Sequence, residues 1–218
     1  MGRAFYLRSE RSRIMNLNAE LWRRHQYSVH VSCVHHLAYW RCAKKMYADL
    51  RQDSEFWIRT IDAHLLRAVT DWCMVFGADS NEVHWKKTVP DESDQSAFRS
   101  RLLNHLSLNR DGWDAYWAGM TTFRNDFAAH RVTSSRYPVV PKMDTALQVV
   151  FAYDQWFRDA LREVFTLIFD EPPLSARYDR LIRTLSEPLR KMIDLGPTVH
   201  EEYEGMPPPR IKRGQIRE

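Results

Sequence analysis

Apolar residues recur along this chain at steps of three and four, the spacing of one face of an α-helix. One long aromatic-rich run is Asp111–Val132. There Trp113, Tyr116, Trp117, Met120, Phe123, Phe127 and Ala128 form the stripe, Asp111 serves as N-cap and Gly112 lies in the first turn. Ahead of it the pattern predicts a helix over about Met15–His25. A second follows over Val29–Leu50, with Val34, Leu37, Ala38, Cys42, Met46 and Leu50 on one side. A third covers Glu55–Phe76, capped by Ser54 and closed by Gly77, with Phe56, Ile58, Ile61, Leu65, Leu66, Val69, Trp72 and Val75 inward. The polar stretch Ala78–Ser93 reads as a loop, and residues 94–108 as a helix facing inward through Phe98, Leu102, Leu103 and Leu106. Pro138 and Pro141 mark a second loop. A long helix then runs from its cap at Asp144 to Phe169, with Tyr153, Asp154 and Trp156 at its polar-to-core transition. Pro172-Pro173 breaks the chain before an amphipathic helix over Leu174–Leu195, and residues from Gly205 onward read as a flexible tail.

The expected fold is therefore all-α: an up-and-down bundle of four to five main helices with extra terminal helices. Residues 1–50 read as a basic helical extension packed on the bundle, 51–195 as the bundle itself, and 196–218 as a basic tail. At 218 residues, with 44% hydrophobic and 12% aromatic content, the chain is long and apolar enough for one substantial core. Seven glycines and ten prolines suit helices with few turns.

Charge changes the picture through its distribution rather than its total of +4. Residues 1–51 carry ten Lys/Arg against three Asp/Glu, and residues 205–218 carry four against one, so the stretch between them is net acidic. Basic flanks suit a phosphate backbone, and equally suit solubility. Cys33, Cys42 and Cys73 form no C-x-x-C pair, and Met1–Arg13 lacks the apolar stretch of a secretory signal. The expectation is reduced thiols in a cytoplasmic protein. No stretch approaches 18 uncharged apolar residues, so no membrane span is expected. Cys33-x-x-His36 is half of a zinc pattern without a second half, and no phosphate-binding glycine loop is present. Neither a metal nor another cofactor is expected, and a nucleotide triphosphatase or metal-dependent nuclease is disfavoured.

Candidate chemistry concentrates at Arg124, Asn125, Asp126 and His130, polar residues set into an aromatic-rich helix. On an α-helix Arg124 and His130 would lie about 120° apart around the axis and ~9 Å apart along it. Asp126 would stand at i, i+4 from His130, where a carboxylate can fix the imidazole tautomer. A forked cation, an amide, an imidazole and an orienting carboxylate suit phosphodiester cleavage without metal. A solvated helix face would show the same residue types. In the 78–93 loop, Trp85 beside Lys86 and Lys87 has the composition to stack a base and hold a phosphate, although a tryptophan there also pins a loop to a core.

Arg124-Asn125-x-x-x-x-His130 resembles the signature of the HEPN superfamily, an arginine followed by four to six residues and a histidine. Trp72-Cys73-Met74-Val75-Phe76-Gly77 and His84-Trp85-Lys86-Lys87 also resemble abortive-infection-type HEPN proteins, and the likeness spans roughly Ser54–Phe169. The resemblance implies a metal-independent endoribonuclease, an RNA-cleaving toxin or antiviral defence effector, acting through the RNA 2′-hydroxyl to leave a 2′,3′-cyclic phosphate. His130 would transfer the proton, Arg124 would hold the scissile phosphate, and Asn125 would bond a phosphate oxygen or position Arg124. The orienting role of Asp126 comes from spacing alone. Arg131 and Arg136, with Lys86 and Lys87, would contact the nucleic acid. A homodimer is implied, as is an antitoxin or defence-system partner protein. One departure stands out: Val132 occupies the place where nucleotidyltransferase-silenced HEPN toxins often carry a tyrosine. The rival expectation is a non-catalytic HEPN-like helical dimer that binds nucleotide, RNA or a protein partner.

Overall fold

The computed structural model describes residues 18–48, 55–129, 139–165 and 171–194. Among them every regular element is helical, and the helices pack into one bundle. The order is α1 (Ala19–Leu21), a π-helical stretch (Trp22–Gln26), α2 (Tyr27–Ala48), α3 (Glu55–Phe76), α4 (Trp85–Thr88), α5 (Glu92–Leu106), α6 (Arg110–Phe123), a second π-helical stretch (Arg124–Ala129), α7 (Met143–Phe165) and α8 (Leu174–Asp194). No helix among the described residues is long and apolar enough to cross a membrane.

Helix α2 lies in the middle of the packing, against α3, α8 and α7. Val34, Leu37 and Ala38 have no exposed surface, because α2 meets partners on several sides. The described part of the basic N-terminal stretch therefore contributes buried residues to the core. It is also continuous: the break expected between His25 and Val29 is bridged by the π-helical turn. That turn directs both Trp22 and Gln26 inward, Trp22 stacking on Phe157 at 5.0 Å.

Helix α3 has the predicted bounds, but its first turn faces the other way. Trp57 is buried, whereas Phe56 and Ile58 are 66% and 41% exposed. The inward positions Trp57, Ile61 and Leu65 step by four and lead into Ala68, Val69 and Trp72, one continuous stripe. At its end Gly77 approaches Cys73 so closely that a Cβ would collide with the Cys73 carbonyl, which accepts the Gly77 amide at 3.0 Å.

The 78–91 connection is not a free loop. His84 caps α4, accepting the Lys86 amide on Nδ1 at 3.4 Å. Gln26 donates to the carbonyls of Val83 and His84 at 2.9 and 3.0 Å, and Tyr153 donates to Gln26 Oε1 at 2.9 Å. Thr88 joins the same cluster and Gln95 donates to the Val89 carbonyl at 2.7 Å. Each of these side chains is buried, and each bond removes the cost of an unpaired polar group, about 1–3 kcal/mol. Helix α5 begins at Glu92, capped by Asp91, and α6 at Arg110, capped by Asn109 rather than Asp111. In each case the cap side chain accepts amides of the first turn.

Tyr153, Asp154 and Trp156, expected at a polar-to-core transition, are all buried. Asp154 accepts Arg158 Nε through both oxygens, at 2.9 and 3.0 Å, and the Leu174 amide at 3.0 Å. Arg158 also donates to the carbonyls of Glu171 and Pro172 and lies over the Trp22 and Tyr27 rings. One buried ion pair on α7 therefore fixes the start of α8 and meets the first π-helical turn.

Candidate functional site

The candidate residues begin where α6 widens. From Arg124 the backbone bonds i to i+5, the wider winding of a π-helix. Regular α-helical winding ends at Phe123. His130, Arg131 and Arg136 lie outside the described residues. Of the predicted set, the structure places Arg124, Asn125 and Asp126 on one π-helical turn packed against α3.

Arg124 is held between core and surface. Phe123 beside it is buried and contacts Phe127, ring to ring at 5.2 Å. The guanidinium lies near the Cys73 thiol on α3, and its Nε is buried without a hydrogen-bond partner. Cys73 does not supply a counter-charge. Burial pushes its thiol up to about 12, so it stays protonated near neutral pH, and it points its sulfur at the Met120 carbonyl, 3.8 Å away. No described carboxylate pairs with Arg124. Arg158, the fully buried arginine, is by contrast saturated by Asp154 and two carbonyls. A partly desolvated guanidinium without a counter-ion suits an incoming anion, above all a phosphate. Asn125 is exposed and Asp126 partly exposed, and neither has a hydrogen-bond partner among the described residues.

The loop candidates divide. Trp85 is buried, packed on Phe98 at 5.2 Å, and anchors α4. Lys86 forms an ion pair with Asp79, while Lys87 is exposed. His84 is buried beside Asp79, its Nε2 3.4 Å from Oδ1. Burial lowers its pKa to about 4 despite that carboxylate. The imidazole is neutral, with Nδ1 as acceptor toward Lys86 and Nε2 carrying the proton.

The half zinc pattern is used in packing. Cys33 donates to the Ala68 carbonyl at 3.5 Å, and His36 meets His64 of α3, Nδ1 to Nδ1 at 2.8 Å. One imidazole must donate and the other accept, so the contact requires at least one neutral ring.

Fold and site together define, among the described residues, an all-helical bundle with an arginine at a π-helical turn that no described carboxylate pairs. None of the protein-family models, curated proteins or solved structures compared with the chain matches it.

Proposed function

We propose that this protein is a metal-independent endoribonuclease of the HEPN type. The observation that supports it is Arg124: a partly buried guanidinium with no anionic partner among the described residues, on a π-helical turn of the kind often found at functional sites. The sequence places an amide beside it at Asn125 and an imidazole six residues on at His130. In the reaction the ribose 2′-oxygen attacks phosphorus and the bond to the 5′-oxygen breaks. His130 moves a proton at one of these oxygens, and Arg124 offsets charge on the phosphoryl oxygens. Asn125 bonds a phosphate oxygen or steadies Arg124. One imidazole serves one side of the scissile bond, so a second copy of the chain completes the site. The biological setting is an RNA-cleaving toxin or antiviral effector, held in check or triggered by a partner protein.

The test is cleavage of RNA by purified protein in EDTA, with products analysed for 2′,3′-cyclic phosphate ends. His130→Ala is expected to cost about 10²–10⁴ in rate while leaving the helical circular dichroism intact. Loss of activity in EDTA with rescue by Mg²⁺ or Mn²⁺ would overturn the metal-free mechanism. Equal cleavage by wild type and His130→Ala would remove this site from the chemistry.

A further inference from the structure

Away from Arg124, a cleft of about 310 Å³ opens between α4, α5 and the first half of α6. That volume is at the lower end for small-molecule sites. Its α6 side presents Trp113 and Trp117, one turn apart and both partly exposed. Trp117 is fixed in place, its Nε1 donating to the Phe76 carbonyl at 2.7 Å. Its α5 side presents Arg99, whose guanidinium lies over the Trp85 ring, 5.5 Å from the centroid. The ionic groups on the rim are Lys86, paired with Asp79, and Arg110, paired with Asp114. His84, also lining the cleft, is neutral. Among the described residues Arg99 has no carboxylate of its own: its bond is a long one, 3.4 Å, to Gln95 Oε1, and it faces Asp79 only at longer range. Three cations against two carboxylates leave the cleft one positive charge in excess.

We propose that this cleft binds one nucleotide unit, base and phosphate together. Three chemistries meet in it, and a nucleotide carries the complement of each. Tryptophan faces and a stacked guanidinium accept a planar ring of any sequence. The excess cation at Arg99 takes a phosphate oxygen through a planar fork. Asp79 and Asp114 accept from amino or ribose hydroxyl groups, which a plain aromatic acid lacks. The site stands apart from the Arg124 turn and does not depend on RNA cleavage. The unit can be a free nucleotide or one residue of a single strand, and the experiment separates the two.

Calorimetric titration of the full chain would use AMP, UMP, inorganic phosphate, and the 2′-O-methyl hexanucleotides of A and of U, which cannot be cut by 2′-hydroxyl attack. Saturable binding is expected, weakened about ten-fold or more by Arg99→Gln and by Trp113→Leu, each first shown to be folded by circular dichroism. Arg99→Gln alters a partly exposed side chain and so keeps the test sound should Trp113→Leu fail to fold. Binding of mononucleotides identifies a free-nucleotide site, and binding of the hexanucleotides alone identifies a strand site. No saturation by any probe, affinities unchanged in Arg99→Gln, or inorganic phosphate binding as tightly as AMP would overturn the proposal. Cleavage activity is a separate readout. Nucleotide binding by a chain that cuts no RNA would retain this site and reject the nuclease, and cleavage without nucleotide binding would do the reverse.

Discussion

At the scale of single residues, burial favours the neutral form of several histidines, and this sets how the fold responds to acid. His30 and His84 have pKa values lowered to about 3 and about 4, and burial also lowers His36 and His64. An unfolded histidine titrates near 6.5, so below that pH the unfolded chain binds more protons than the folded one. Stability is therefore fully present above about pH 6.5 and is lost as pH falls toward the folded values. The urea midpoint is expected to drop between pH 7.5 and pH 5, with about 1–2 kcal/mol of the loss traceable to His84. His84→Asn keeps a capping acceptor without a titrating ring and should flatten that dependence; an unchanged slope would contradict the neutral, buried assignment. Asp154→Ala should be far more severe, about 3–5 kcal/mol, because it leaves Arg158 buried without its carboxylate and removes the acceptor of the Leu174 amide. A loss below about 1 kcal/mol by denaturant titration would show the pair to be replaceable. Neither Asp154 nor Tyr153 could be placed from the pattern. Besides the adjacent Arg158, the partners that complete their burial, Leu174 and Gln26, lie 20 and 127 residues away, where a pattern read along one helix does not reach.

At the scale of elements, the strongly periodic helices were legible and the departures from 3.6 residues per turn were not. Helix α3 matched its predicted span because its stripe is long. Its first turn was misjudged because Phe56, Trp57 and Ile58 are all apolar, and only packing selects Trp57. The two π-helical turns leave no mark in a pattern read at i+3 and i+4. Arg124, by contrast, stands out in the sequence alone, while Arg99, Asp79 and Asp114 do not, because their cleft is assembled from two helices and the 78–91 connection. Helix α5 ends on Ser107 at φ 53°, a left-handed cap that glycine adopts without a Cβ penalty. Ser107→Gly is expected to stabilise the fold by a few tenths to about 1 kcal/mol, read as a higher melting temperature. A lower one would mean that the greater freedom of glycine in the unfolded chain outweighs the relieved strain.

At the scale of the whole molecule, the proposed chemistry requires two copies of the chain. Light scattering at micromolar concentration should return twice the chain mass, and mixed dimers of His130→Ala with Arg124→Ala should differ in cleavage rate from either parent. A strict monomer would count against a shared site. The central position of α2 has another consequence, in the order of synthesis. Helix α2 is complete by residue 48, yet α7 and α8, two of the three helices that cover it, extend to residues 165 and 194. At roughly 5–20 residues per second, a ribosome needs about 7–30 s to add the intervening 146 residues. Through that interval the faces of α2 that meet α7 and α8 have no native cover. The nascent chain is then a natural client for chaperones, and any lesion that stops translation before α8 leaves one face of this central helix on the surface.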